Sequence, residues 1–180
     1  ILDYELHNAG RIQFAILNRI FRAESIRFVG EGTSLALSGS VPLDEKGRLD
    51  LNLSGSLNLR LLEGLEKKLR TGGTAALNIR ASGARRNPQF IGRVTLQDAG
   101  FEHQDLPFRL SAMEGDIVFS RNLVRLENVR GAAASGTLQL SGVLEHQNAV
   151  LRSVNMGISI RNARVLYPKD FRSVVNAELI

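Results

Sequence analysis

Cysteine and tryptophan are absent from this 180-residue sequence, and proline occurs only four times. Without cysteine there are no disulfides, no thiolate metal sites and no cysteine nucleophile. That is compatible with an oxidising compartment, where stray thiols are a liability. Aromatic residues make up only 6% of the chain, short of the few large aromatics that a dry β-sandwich usually places at its centre. No stretch approaches the ~18 apolar residues of a membrane-spanning helix. The opening, Ile1 to Leu6, reads as strand rather than as an apolar leader.

Catalytic signatures are missing too. His7, His103 and His146 are far apart and have no metal-ligand spacing such as HExxH. There is no GxSxG, no P-loop and no GxGxxG; Gly30-Glu-Gly32 lacks the rest of that motif. Asp98, Asp105, Glu114 and Asp116 flank expected turns, where carboxylates are common. Glu102-His-Gln-Asp105 runs into Leu106-Pro107 and reads as a connection. The expectation is a non-enzymatic chain with no cofactor and no metal.

What the sequence does contain is alternation. Leu35-Ala-Leu37-Ser-Gly39, Leu51-Asn-Leu53-Ser-Gly55, Leu138-Gln-Leu140-Ser-Gly142 and, more loosely, Ile79-Arg-Ala81-Ser-Gly83 each place apolar residues at every second position and close on a small pair. Period 2 marks strands with one oily and one wet face. Gly30-Glu-Gly32, Asp44 to Gly47, Asn87-Pro88, Asp98 to Gly100 and Ser120 to Asn122 read as turns or breaks. The one helical interruption is Leu61 to Arg70, where Leu62, Leu65 and Leu69 fall on one face, and Glu63–Lys67 and Glu66–Arg70 are four apart. Residues 1–180 thus predict a single all-β domain, an antiparallel meander of about 10–12 strands with a short helix near 61–70. It reads as a fragment of a larger repeating β-array.

Such a sheet, some 50 Å wide at ~4.8 Å per strand, has one short helix to cover its oily face. Three solutions remain: a closed barrel, a two-sheet sandwich, or a sheet curled along its length into a trough. On any of them Leu35, Leu37, Leu51, Leu53, Leu77, Ile79, Val94, Leu96, Ile117, Phe119, Leu126, Leu138, Leu140, Met156, Ile158 and Ile160 share one face. In a trough they line the groove.

Net charge is +5 and the pI about 10.2, so an acidic partner must be considered. Arg80, Arg93, Arg125 and Arg161 occupy wet slots of the alternation; only Lys67-Lys68 and Arg85-Arg86 are tight pairs. Charge dispersed in this way reads as solvation and predicts little binding to acidic vesicles at physiological salt. Phe90, Phe101, Phe108 and Phe119 lie mainly on the apolar parity rather than beside arginines, which argues against nucleic acid.

The order of features resembles a known family. A strand-to-helix passage LDLNLSGSLNLRLLE runs from Leu49 to Glu63, followed by Gly83 to Phe101 with its Asn-Pro, by LPFRLSAMEGDIVF from Leu106 to Phe119, by GAAASGTLQLSG from Gly131 to Gly142, and by Ile160 to Leu179. This order is similar to the C-terminal region of the TamB family, inner-membrane-anchored subunits of the translocation and assembly module within the AsmA-like envelope proteins. The resemblance implies a "β-taco", a folded sheet with a greasy interior, in the periplasm as part of an inner-membrane-anchored protein. It implies phospholipid acyl chains or another amphiphile as cargo, carried or sheltered between inner and outer membrane. An Omp85-type outer-membrane protein, TamA, and the remainder of its own longer chain are the implied partners. A role in outer-membrane protein and autotransporter assembly and secretion follows as well. No catalytic residues carry over. The alternative is a periplasmic scaffold that templates client strands by β-augmentation at an open edge.

Overall fold

The computed structural model describes residues 5–45, 47–105, 109–134, 136–147, 150–166 and 172–179. Of the strand expected from Ile1 to Leu6, residues 1–4 lie outside them and Glu5 and Leu6 are not in a strand; the parity of Phe108 also lies outside them. Twelve strands follow in chain order: β1 His7–Asn8, β2 Gln13–Leu17, β3 Ile20–Gly30, β4 Thr33–Pro42, β5 Arg48–Asn58, β6 Leu69–Ala84, β7 Asn87–His103, β8 Leu110–Arg121, β9 Leu123–Ala133, β10 Gly136–Gln147, β11 Val150–Leu166 and β12 Arg172–Leu179. They make one antiparallel sheet in which each strand from β3 to β12 lies beside its sequence neighbours, while β1 and β2 share the outer edge of β3. β12 pairs only with β11. The sheet is therefore open, and with no second sheet among the described residues neither the barrel nor the sandwich applies. The fold is the curled trough.

Bulges account for the curl. Pairing slips by one residue at Asp98 in β7, Ala112 in β8, Asn128 in β9 and Asn162 in β11. Each of these residues has a left-handed backbone, with φ of 48°, 49°, 53° and 57°. An extra residue in one strand bends it and sharpens its twist. The residue that follows each bulge is Ala99, Met113, Val129 or Ala163, and these side chains keep 0%, 2%, 4% and 4% of their surface exposed. The bulges thus trace a crease across the sheet, and the deepest burial lies in it. Asp98 to Gly100, expected as a chain-reversing turn, is this bulge inside a continuous strand.

The Ser-Gly pairs also differ from expectation, since they sit within strands instead of closing them. Gly39 lies opposite Leu51 and Gly55 opposite Leu35, on the leucine face. Their φ values are +127° and +133°. A Cβ at Gly39 would overlap the Asp50 carbonyl oxygen, and one at Gly55 that of Ser34. The small residue lets two backbones approach on the side where leucines otherwise keep them apart.

The helix expected at 61–70 is instead a single 3-10 turn, Leu59–Gly64, and β6 begins at Leu69. Asn58 caps the turn, its side chain accepting from the Arg60 N–H at 3.0 Å. Glu63 does not pair with Lys67; it accepts from the Thr71 N–H at 2.9 Å and lies 3.7 Å from Arg70. These partners in β6 hold the chain in a short turn, against helical charge pairs worth only about 0.2–0.5 kcal/mol each. Leu59 and Leu62 pack against the crease residues, whereas Leu65 is 85% exposed.

Two predictions follow from this geometry. Leu59→Ala should cost about 2–5 kcal/mol and Leu65→Ala under about 0.5 kcal/mol, read from urea unfolding midpoints. Gly39→Ala should cost about 1–3 kcal/mol from backbone strain alone, while Gly72→Ala, with open space around it, should be close to neutral. Equal midpoints for the two glycine variants would show that the β4–β5 approach has slack.

Candidate functional site

Register decides which side chains share a face, because residues directly opposite each other across a ladder point the same way. Leu37 faces Leu53, Leu53 faces Ile79, and Gly55 faces Leu77. Leu77 faces Val94, Val94 faces Ile117 and Ile117 faces Leu126. Leu96 stands opposite Ala75, and Phe119 opposite Gly92. Beyond the crease Val129 faces Leu140, which faces Ile158; Leu138 faces Ile160, and Gly142 faces Met156. Leu35 and Leu51 stand opposite Gly55 and Gly39. All sixteen residues predicted to share a face therefore lie on one side of the sheet.

They divide into two groups. Leu96 and Leu138 belong to the buried crease cluster, and Leu77, Val94, Leu126, Leu140, Ile158 and Ile160 pack against it. Leu35, Leu37, Leu51, Leu53, Ile79, Ile117, Phe119 and Met156 lie outside it, half-buried, on the arms of the trough. The floor itself is made by Ala75, Ala99, Met113, Val129 and Ala133 with Leu59 from the 3-10 turn, and sequence reading did not single these out. The one signal, an Asp or Asn before an apolar residue in mid-strand, is present for Ala99 and Val129 but not for Ala75, Met113 or Ala133.

Among the described residues no second layer covers the apolar face. Among the described residues no large side chain is fully buried. The chain exposes 12515 Å² of surface, where a compact monomer of its 19.7 kDa exposes about 8,600 Å².

The opposite face is polar and zipped by charge. Arg80 holds Asp50 in a two-pronged contact at 2.7 and 2.8 Å. Arg93 meets Asp116 at 2.5 Å and Glu127 at 3.5 Å, Arg125 meets Glu127 at 3.4 Å, and Arg130 meets Glu114 at 3.1 Å. Of the arginines assigned to wet slots, Arg80, Arg93 and Arg125 are thus tied to carboxylates. Shallow hollows of about 420 and 470 Å³ lie beside Asn128 and Asp98, with Arg130, Gln139, Ser141 and Thr95 among their linings. No group of three or more metal-binding side chains converges among the described residues. His103 has only Asp105 beside it, at 3.8 Å.

The apolar face is lined by aliphatic side chains, and the ion pairs lie on its reverse. Comparison with protein-family models, with curated proteins and with solved structures finds no match.

The Arg80 hydrogen bonds hold the Asp50 carboxyl below its ordinary value of 3.8, aided by the guanidinium charge and opposed by desolvation. A carboxyl lowered in the folded state contributes stability that is complete above its unfolded pKa and is lost as pH falls through the folded one. The pair should therefore stay intact down to roughly pH 4. An NMR titration should put Asp50 below 3.8 and return it toward that value in Arg80→Met.

Proposed function

We propose that this chain is a non-enzymatic segment of a hydrophobic trough that carries or shelters phospholipid acyl chains in a bacterial envelope. The observation that carries the reading is one apolar face, continuous in register from β4 to β11, half-exposed on its arms and without a covering layer among the described residues. Exposed apolar patches above a few hundred Å² mark binding surfaces on soluble proteins. A hydrocarbon chain gains about 0.8 kcal/mol per methylene taken out of water, so a groove of branched aliphatics binds it without specific contacts and lets it slide. The periplasmic setting, the inner-membrane anchor and the Omp85-type partner rest on the family resemblance alone. Supporting outer-membrane protein assembly belongs to the same reading.

A second reading is favoured by β12, whose outer edge pairs with no described strand. A client strand adding there by β-augmentation would make the chain a scaffold. Ile26 is paired with Leu37 in β4 and is no edge position; β1 and β2 lie outside β3 at the other end of the sheet, and β12 is the longer edge strand to probe first.

The test is native mass spectrometry of the purified chain, with phospholipid expected in complex. Leu138 is 3% exposed, so Leu138→Arg would bury an unpaired charge and unfold the domain. Ile117→Arg and Leu53→Arg, on the half-exposed arms, should fold and lose lipid. Folded arginine variants that retain lipid would refute the trough, and crosslinks from Glu178 to an unfolded outer-membrane strand without bound lipid would establish the scaffold.

A further inference from the structure

The sequence disperses its arginines, but the meander gathers a set of them. In an antiparallel run of hairpins, alternate turns lie at the same end of the sheet. The β2–β3, β4–β5, β6–β7, β8–β9 and β10–β11 turns therefore form one lip of the trough. Backbone bonds link neighbouring turns: Leu43 N–H to the Arg19 carbonyl at 2.7 Å, Arg85 N–H to Gly47 at 3.2 Å, and His146 N–H to Asn122 at 2.9 Å.

This lip carries exposed Arg19, Arg48, Arg85, Arg86, Arg121 and Arg152 against Asp44, Glu45 and Glu145 among the described residues. Arg86 is paired with Glu45, and Arg85 is turned onto the Pro42 and Leu43 carbonyls. Arg19, Arg48 and Arg121 have no carboxylate within ion-pair reach among the described residues, unlike Arg80, Arg93, Arg125 and Arg130 on the polar face. The same turns hold up apolar side chains. Leu17 is 71% exposed, Leu43 50%, Val150 56% and Leu151 57%. Among the described residues the other lip is balanced: Arg60, Lys67, Lys68 and Arg109 stand beside Glu31, Glu63, Glu66 and Asp105, with Lys68 bonded to Asp105 at 3.1 Å.

Leucines at turn tips interspersed with unpaired arginines have the composition of an interfacial membrane anchor: apolar groups enter the acyl boundary while cations meet phosphates. We propose that this lip docks on the surface of an anionic bilayer, with Leu17 and Leu43 inserting and Arg19, Arg48 and Arg121 on lipid phosphates. Net positive charge on this lip selects such a surface over a neutral one. Docking here would bring the open side of the trough to the membrane, and it stands whether or not the groove takes lipid.

The chain has no tryptophan, so Leu17→Trp, Leu43→Trp and, on the opposite lip, Leu65→Trp are single reporters. They are mixed with vesicles of phosphatidylglycerol and phosphatidylcholine, and with vesicles of phosphatidylcholine alone. Emission at 17 and 43 should shift to the blue with anionic vesicles only, and position 65 should not change. Flotation should weaken steeply between roughly 0.1 and 1 M salt, as the Debye length falls from about 10 to about 3 Å. Each arginine near an anionic surface is worth about a factor of five, so Arg19→Gln, Arg48→Gln and Arg121→Gln together should weaken partitioning about a hundredfold. All three are exposed, and an unchanged melting temperature checks the fold. Ile117→Arg, which tests the groove, should leave flotation intact. Absence of flotation, equal binding to neutral vesicles, an equal shift at position 65, or an unaffected triple variant would each overturn the proposal. Self-association through Leu17 and Leu43 without vesicle binding would assign the lip to a second copy instead.

Discussion

The shape of the molecule depends on four backbone positions held in the left-handed region, Asp98, Ala112, Asn128 and Asn162. Each adds a residue to one strand, so two residues oppose one across the ladder. Without them the long strands from β6 to β11 would twist evenly, and their leucines would face water across the whole width. With them the sheet creases, and the next residue in each strand turns into a dry seam. Three of the four are Asp or Asn, which tolerate the left-handed conformation at little expense. Ala112 has no such tolerance, and the contacts of Met113 in the seam must offset its strain.

A single folded sheet meets the hydrophobic problem only in part. The seam gives the domain a core of alanines, Met113, Val129 and Leu138, closed at one end by Leu59. Away from it the leucine side chains stay half in water, and the polar face is fastened with ion pairs such as Arg80–Asp50. Exposed pairs of this kind contribute little to stability. Their arrangement instead fixes register, because sliding one strand by one residue would set these charges among leucines.

The sequence made the strands legible because period 2 is a local signal, and the register then placed all sixteen nominated residues on one side. Turn chemistry was legible at Gly30 to Gly32 and Ser120 to Asn122. The same chemistry misled at Asp98 to Gly100, because an Asx residue followed by small ones serves equally for a chain reversal and for a bulge. Only the partner strand separates the two, and sequence contains no partner. The short helix expected near 61–70 is present, but as a 3-10 turn at Leu59–Gly64, for a related reason. Its heptad-like leucines and charge pairs are worth a few tenths of a kcal/mol each, less than the burial of Leu59 among strands distant along the chain and the tie from Glu63 to Thr71 in the following strand. The crease was illegible since it is a property of four strands read together.

Stability and capacity are therefore separated in space. Side chains that hold the fold, such as Ala99, Met113 and Leu138, lie in a seam already closed to solvent. Side chains free to meet a guest, such as Leu37, Leu53, Ile79 and Ile117, lie on arms that contribute less to the core. In a globular domain these sets usually coincide, and a binding site is opened at some loss of packing. Here the arms can vary in width or side chain while the seam keeps its alternation of bulge and small residue. An array extended by more strands of the same kind would lengthen the open groove in proportion, provided each addition continues the crease. That is the physical advantage of leaving an aliphatic face open in one creased sheet rather than closing it into a small barrel, whose interior side chains fill it.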